Sequence, residues 1–183
     1  MELADSLKPL DIDELKLAAS AANGQIENVF LHWTAGHYHH IYSDYHLNID
    51  ADGRIYAPYD HLDFLKKRNH TWTRNTGSVG IALCCCDGAV ANDGLNADLG
   101  SEPPTENQIE AMAVVVAILC KYAGVDIKNV YTHCEIAYID GYGPYSGDPE
   151  TRWDLWYLTD YDGKLRGGGE VIRGKAQWYM NQI

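Results

Sequence analysis

Apolar positions along this chain come in short, dense runs separated by polar turn sequences. Val29-Phe30-Leu31-His32-Trp33 predicts a buried strand, which the small residues Thr34-Ala35-Gly36 bring to an end. Ser78-Val79-Gly80-Ile81-Ala82-Leu83-Cys84 predicts a second, central one, and Val130-Tyr131-Thr132-His133 a short third run that also ends in histidine. Strict alternation marks Tyr45–Asp50 and, after the turn Ala51-Asp52-Gly53, Arg54–Pro58, which together predict a β-hairpin with Gly53 at positive φ. Helical spacing appears twice. Asp11 to Ala22 has Asp11 or Asp13 as a cap, an apolar face from Leu15, Ala18 and Ala19, and a stop at Asn23-Gly24. Thr105 to Gln108 forms a capping box ahead of Ile109, Met112, Val116, Leu119 and Ala123, and Gly124 ends that helix.

The intervening stretches are polar or irregular. The His- and Tyr-rich segment from Gly36 to Tyr45 predicts a loop and helical turn over a site, and Asp87 to Pro104 a surface loop. Asp148-Pro149-Glu150 has the composition of a helix start, while Gly167-Gly168-Gly169 suggests a flexible break before a short tail carrying Trp178 and Tyr179. The expected architecture is mixed α/β in one domain over residues 1–183: a central mixed β-sheet flanked by helices. Its core lies at about 26–160, between an N-terminal helix and a C-terminal tail.

Composition narrows the function classes. With 14 Lys+Arg against 26 Asp+Glu the net charge is −12, and Lys66-Lys67-Arg68 is the longest basic cluster, which argues against nucleic-acid binding. No apolar run approaches the ~18 residues a membrane span needs. The N-terminal Met1-Glu2-Leu3-Ala4-Asp5 lacks the basic start and apolar stretch of a signal peptide, so synthesis in the cytoplasm is expected, with any work on the cell wall reached by another export route. Five cysteines include Cys84-Cys85-Cys86, whose neighbours in a strand face opposite sides. Reduced, buried thiols are expected, and no CxxC pair suggests a zinc ribbon.

The candidate chemistry lies in the two strand-end histidines. A neutral imidazole is the commonest transition-metal ligand, and although a lone His32 would be an ordinary hydrogen-bonded core residue, a second strand ending in His133 suggests one site where the ends meet. A catalytic zinc needs a third protein ligand and an open position. Asp148 suits that role because backbone N–H groups at a helix start would hold its carboxylate, although composition alone favours a plain helix cap there; Cys134, next to His133, would point to the other face.

These residues also carry a resemblance. Phe30-Leu31-His32-Trp33-Thr34-Ala35-Gly36, Asp44-Tyr45-His46-Leu47-Asn48-Ile49 with Asp52-Gly53-Arg54-Ile55-Tyr56, and Asn75-Thr76-Gly77-Ser78-Val79-Gly80-Ile81 resemble successive blocks of the type 2, zinc-dependent N-acetylmuramoyl-L-alanine amidases. This family includes phage lysozyme-like amidases and peptidoglycan recognition proteins. The Thr105–Gln108 helix, Thr132-His133, and Asp148-Pro149 with Trp153-Asp154 continue the order, so the resemblance runs from about Val29 to Leu158. It implies zinc held by His32, His133 and Asp148, and a catalytic role for Tyr45, since several phage members carry Tyr at the start of that hairpin.

Two departures shift the expected chemistry. Ala82 stands where recycling members carry a Glu, and Ser146 where many carry a Lys; the interval of 15 residues from His133 to Asp148 is also longer than usual. Catalysis is therefore expected to rest on zinc, Tyr45, Ser146 and Glu135. The resemblance implies a monomeric peptidoglycan hydrolase that cleaves the amide between N-acetylmuramic acid and L-alanine, as a phage or prophage endolysin. The alternatives are a catalytically silent peptidoglycan-binding module, a secreted amidase effector and a recycling enzyme. A zinc peptidase ranks lower because no HExxH occurs.

Overall fold

The strand Asn28–Trp33 (β2) is hydrogen-bonded along both edges, and the rest of the chain is arranged around it. In the computed structural model, which describes residues 1–90, 97–141 and 153–183, the elements run in the order β1 (Glu2–Leu3), α1 (Ile12–Ala21), β2, β3 (His40–Ile41), β4 (Leu47–Ile49), β5 (Ile55–Tyr56), β6 (Ser78–Leu83), α2 (Glu106–Ile118), β7 (Val130–Thr132), α3 (His133–Ile139), β8 (Tyr157–Thr159), β9 (Leu165–Gly167) and α4 (Gly168–Met180). Five strands form one mixed sheet in the order β5-β4-β6-β2-β7, with β4, β6, β2 and β7 parallel and β5 antiparallel at the edge. Among the described residues, no helix is long and apolar enough to cross a membrane.

Register explains how the sheet sorts its side chains. Side chains alternate along a strand, and residues paired across parallel strands share a face. Val29, Leu31, Leu47, Ile49, Val79, Ile81 and Leu83 therefore point together into the main apolar cluster, against Met112, Val115, Val116 and Leu119 of the α2 segment. The opposite face carries Phe30, His32, Gly80, Ala82 and Asn48. Its strand-end residues meet loops rather than a helical layer.

Local signals account for most of the elements. Asp11 accepts the Glu14 N–H while the Glu14 carboxylate accepts the Asp11 N–H, closing a capping box on α1. Thr105 and Gln108 do the same for α2, and the Gln108 amide also donates to the carbonyls of Ile49 and Cys84, so this cap ties the helix to the sheet. A single π-type turn over Leu119–Ala123 carries α2 into Gly124, which ends it at φ 78°. The hairpin β4–β5 turns through Asp50-Ala51-Asp52-Gly53, with the Gly53 N–H on the Asp50 carbonyl and the Arg54 N–H on the Asp52 carboxylate. All five cysteines are buried and free.

Three elements differ from the sequence expectation. His133 does not end a strand: β7 stops at Thr132, which caps α3, and His133 is that helix's first residue. The segment Asp160-Tyr161-Asp162-Gly163-Lys164 repeats the β4–β5 turn chemistry bond for bond and forms a second hairpin, β8–β9. Gly167-Gly168-Gly169 is not a flexible break. Gly168 and Gly169 open α4, which packs along α2 through Val171, Ile172 and Ala176, with Lys175 and Tyr179 on Glu110 at 2.6 and 2.7 Å. Glycine is required there by close approach: a Cβ on Gly168 would overlap the Leu155 carbonyl, and one on Gly169 the Glu135 carboxylate. The expected helix start at Asp148 lies outside the described residues.

Two alanine substitutions separate these roles. Gly168→Ala presses on backbone that cannot rotate away and should lower stability by about 1–3 kcal/mol. Gly174→Ala, in the interior of α4 with open space at its Cβ, should raise it by up to about 1 kcal/mol. Urea unfolding of the two variants checks both signs.

Candidate metal centre

Parallel pairing of β2 with β7 brings His32 beside the start of α3, and the turn at residues 153–156 brings a carboxylate to both. His32 Nδ1 lies 3.1 Å from His133 Nδ1 and 3.0 Å from Asp154 Oδ2, and His133 Nδ1 lies 3.1 Å from Asp154 Oδ1. Ligands of a tetrahedral zinc with Zn–N and Zn–O near 2.0–2.1 Å stand about 3.3 Å apart, and one donor atom from each of the three residues lies within 4.8 Å of the others, so the group could hold such an ion. The donor set of two imidazoles and a carboxylate also fits zinc, with a fourth position left for water or substrate. Without a metal the carboxylate can accept an N–H from an imidazole at these distances; with one, the same atoms turn their lone pairs to the ion.

Electrostatics supports the same reading. Burial pushes the His32 imidazole below its ordinary range; the hydrogen bond to Asp154 opposes this and the neighbouring His133 adds to it, which favours the neutral imidazole that a metal would need. Asp154 is held far below the usual carboxylate range: burial opposes this, but the charge and hydrogen bonds of His133 and His32 outweigh it. The carboxylate is positioned by a tight turn with the Trp156 N–H on the Trp153 carbonyl, Trp153 packed edge-on against Trp33 at 4.9 Å, and Leu155 fully buried in the left-handed region at φ 58°. A bulky residue at positive φ costs of order 1–3 kcal/mol, and it is sustained here by burial on both sides of Asp154.

The other expected residues divide. Tyr45 is at the site, its ring 5.1 Å from that of His32. Burial and then the Asp154 charge push its phenol well above the ordinary tyrosine range, so the hydroxyl keeps its proton. Glu135 is not brought to the donor atoms. Both of its oxygens bind Arg173 at 2.8 Å, and Oε2 also accepts the Thr132 N–H, so it serves as the α3 capping residue and as an anchor for α4. Ala82 lies next to His32 in register and is fully buried, and beyond it the Asn48 amide is committed to both backbone groups of Tyr42. The sheet therefore offers no carboxylate beside His32. Asp148 and Ser146 lie outside the described residues.

Sequence reasoning did not single out Asp154. The signal is nonetheless present, because Trp153-Asp154-Leu155-Trp156 sets one carboxylate inside an apolar run, and a buried Asp is rarely found without a partner. A second missed feature is the row of buried polar groups behind His32. Its Nε2 lies 3.2 Å from Thr71 Oγ1, and Thr71 Oγ1 lies 3.1 Å from His70 Nδ1. His70 stands over Gly80, where a Cβ would overlap its ring, and burial pushes its pKa down to about 2.

The comparison with known families agrees with this geometry. Residues 22–150, well over half of the chain, match the N-acetylmuramoyl-L-alanine amidases, a span that contains His32, Tyr45, His133 and Asp148 and ends just before Asp154. The search of curated protein sequences returned no match. A match of this extent, over a sheet that brings two histidines and a carboxylate together, assigns the chain to the N-acetylmuramoyl-L-alanine amidase family.

Proposed function

We propose that this protein is a zinc-dependent peptidoglycan amidase that hydrolyses the bond between the lactyl group of N-acetylmuramic acid and L-alanine of the stem peptide. One amidase domain would span the chain, with His32, His133 and Asp154 holding the metal. The observation that carries this reading is the cluster of His32 Nδ1, His133 Nδ1 and the Asp154 carboxylate, with each pair of residues in contact at 3.0–3.1 Å. A zinc ion bound there supplies Lewis acidity for activating water and polarising an amide carbonyl.

The chain's own residues supply the rest. The Tyr45 phenol, kept protonated by its surroundings, is the donor for charge that develops on the carbonyl oxygen, and it is also the nearest proton source for the leaving amine. Ser146 is a second hydroxyl for that task by family order. With Glu135 committed to Arg173 and a methyl at Ala82, neither of these positions competes with Tyr45. A phage- or prophage-type lytic role, that of an endolysin, draws support from the same two positions, since Tyr45 follows the phage pattern and Ala82 replaces the Glu of recycling members.

Mass analysis of digested peptidoglycan tests the reaction. Free stem peptides with a new L-alanine N-terminus and intact glycan strands are expected, whereas new reducing sugar ends would identify a glycosidase instead.

Metal analysis of purified variants tests the ligand set. About one zinc per chain is expected in the unaltered protein, with loss in His32→Ala, His133→Ala and Asp154→Ala and retention in Asp148→Ala. The reverse result for the two aspartates would move the third ligand to Asp148.

Tyr45→Phe keeps the ring and removes the hydroxyl. Loss of one oxyanion donor should lower kcat by roughly 10²–10³ with zinc content unchanged. A near-normal kcat would transfer the role to Ser146.

A further inference from the structure

The buried row behind His32 has a direction, and that direction bears on which His32 nitrogen is free to bind metal. At one end, the Ser78 hydroxyl donates to the Arg74 carbonyl at 2.7 Å. A carbonyl can only accept, so the Ser78 hydrogen is committed, and its oxygen can only accept from His70 Nε2, 3.5 Å away. His70 must then carry its proton on Nε2, which leaves Nδ1 as an acceptor for the Thr71 hydroxyl at 3.1 Å. Thr71 has one hydrogen, and once it is given to His70 the Thr71 oxygen can only accept from His32 Nε2 at 3.2 Å. Every hydrogen in the row is then assigned, and His32 ends with its proton on Nε2 and a lone pair on Nδ1, which faces Asp154 Oδ2 at 3.0 Å and needs a cation between the two. The opposite polarity leaves His70 Nε2 facing Ser78 with no hydrogen between them.

We propose that Thr71, oriented by His70 and Ser78, is a positioning residue that holds His32 in the Nε2–H tautomer and so aims the Nδ1 lone pair at the metal. This rests on the metal reading above and extends it beyond the three ligands. Partners of this kind, bound to the far nitrogen of a ligating histidine, fix its ring and tautomer, and losing one typically weakens metal binding 10–100-fold.

The surroundings are built to hold the row still. Thr71 is buried, its N–H is accepted by Asn75 Oδ1 at 2.8 Å, and its carbonyl accepts the Arg74 N–H at 3.0 Å. His70 occupies the space left by the missing side chain of Gly80, between the rings of Phe30 at 6.0 Å and His46 at 5.5 Å. The Arg74 guanidinium pairs with Asp140, the C-terminal cap of α3, so the loop that carries Thr71 is tied to the helix that carries His133.

The test has two independent readouts. In ¹⁵N-histidine spectra of the zinc-loaded protein, His32 should carry its proton on Nε2 and show the metal-induced shift on Nδ1; a proton on Nδ1 with the metal shift on Nε2 would overturn the proposal, and this measurement needs no variant. Zinc affinity, measured by chelator competition, should fall 10–100-fold in Thr71→Val, which keeps the shape and loses the hydroxyl. Thr71→Ser, which restores the hydroxyl, should return within about threefold of the unaltered protein, a rescue that a packing role would not produce. Unchanged affinity in Thr71→Val, or Thr71→Ser as weak as Thr71→Val, would overturn it. Failure of the metal reading would look different: the unaltered protein and His32→Ala would then bind zinc equally poorly.

Discussion

Everything at the site depends on β2 being paired on both edges by parallel neighbours in fixed register. With Asn28 to Trp33 opposite Ser78 to Leu83, and Val29 to Leu31 opposite Val130 to Thr132, a slip of one residue would turn His32 into the aliphatic layer and Leu31 into the site. The register is enforced by the layer beneath, where Val29, Leu31, Val79, Ile81 and Leu83 meet α2. The core therefore sets the position of His32, and the chemistry is placed on the face that the core does not need. Parallel strands commonly present ligand sites at their carboxyl ends, and His32 and the Thr132–His133 junction both lie there.

That face is unusual in burying polar groups instead of apolar ones. Buried histidines and carboxylates are stable only when each donor and acceptor has a partner. His46 satisfies this alone, accepting the Gly80 N–H and donating to the Lys66 carbonyl, and burial pushes its pKa down to about 4. His70 and Thr71 satisfy it jointly with Ser78. His32, His133 and Asp154 have one another as partners, and together they could share a cation. The same absence of water that makes the polar row demanding keeps the Tyr45 hydroxyl protonated beside a carboxylate, which is the state a hydrogen-bond donor requires.

Much of this was legible in the sequence, and the exceptions have definite causes. The apolar runs of β2 and β6, the alternating hairpin β4–β5, and the capping boxes of α1 and α2 are local signals, and the structure follows them within a residue or two. His32 and His133 were legible as a pair because both follow β-like runs. The helix α3 was not, since its own capping box, Thr132 with Glu135, overlaps the histidine that drew the eye. The β8–β9 turn carries the same Asp-x-Asp-Gly sequence as the β4–β5 turn and was readable in principle. Gly168 and Gly169 misled because glycine needed for close packing and glycine needed for freedom look alike in a sequence. Asp154 was marked as a buried carboxylate by the apolar run around it, but its place beside His32 depends on tertiary contacts: nothing local announces that Trp153 will meet Trp33.

The segment beyond residue 153 then takes on a specific meaning. Gly168 lies against the Leu155 carbonyl and gives its N–H to Trp156, so the start of α4 buttresses the strained turn that presents Asp154. Arg173, one turn further along, binds both Glu135 oxygens and the Val130 carbonyl, which fixes the β7–α3 junction that presents His133. One helix thus braces two of the three donor-bearing segments from behind, while the sheet braces the third. Metal ligands must be held to within a few tenths of an ångström, and short segments such as a four-residue turn and the first turn of a seven-residue helix cannot supply that rigidity themselves. The helix α4 is for that reason a structural part of the candidate metal centre, although none of its atoms belongs to the His32, His133 and Asp154 group.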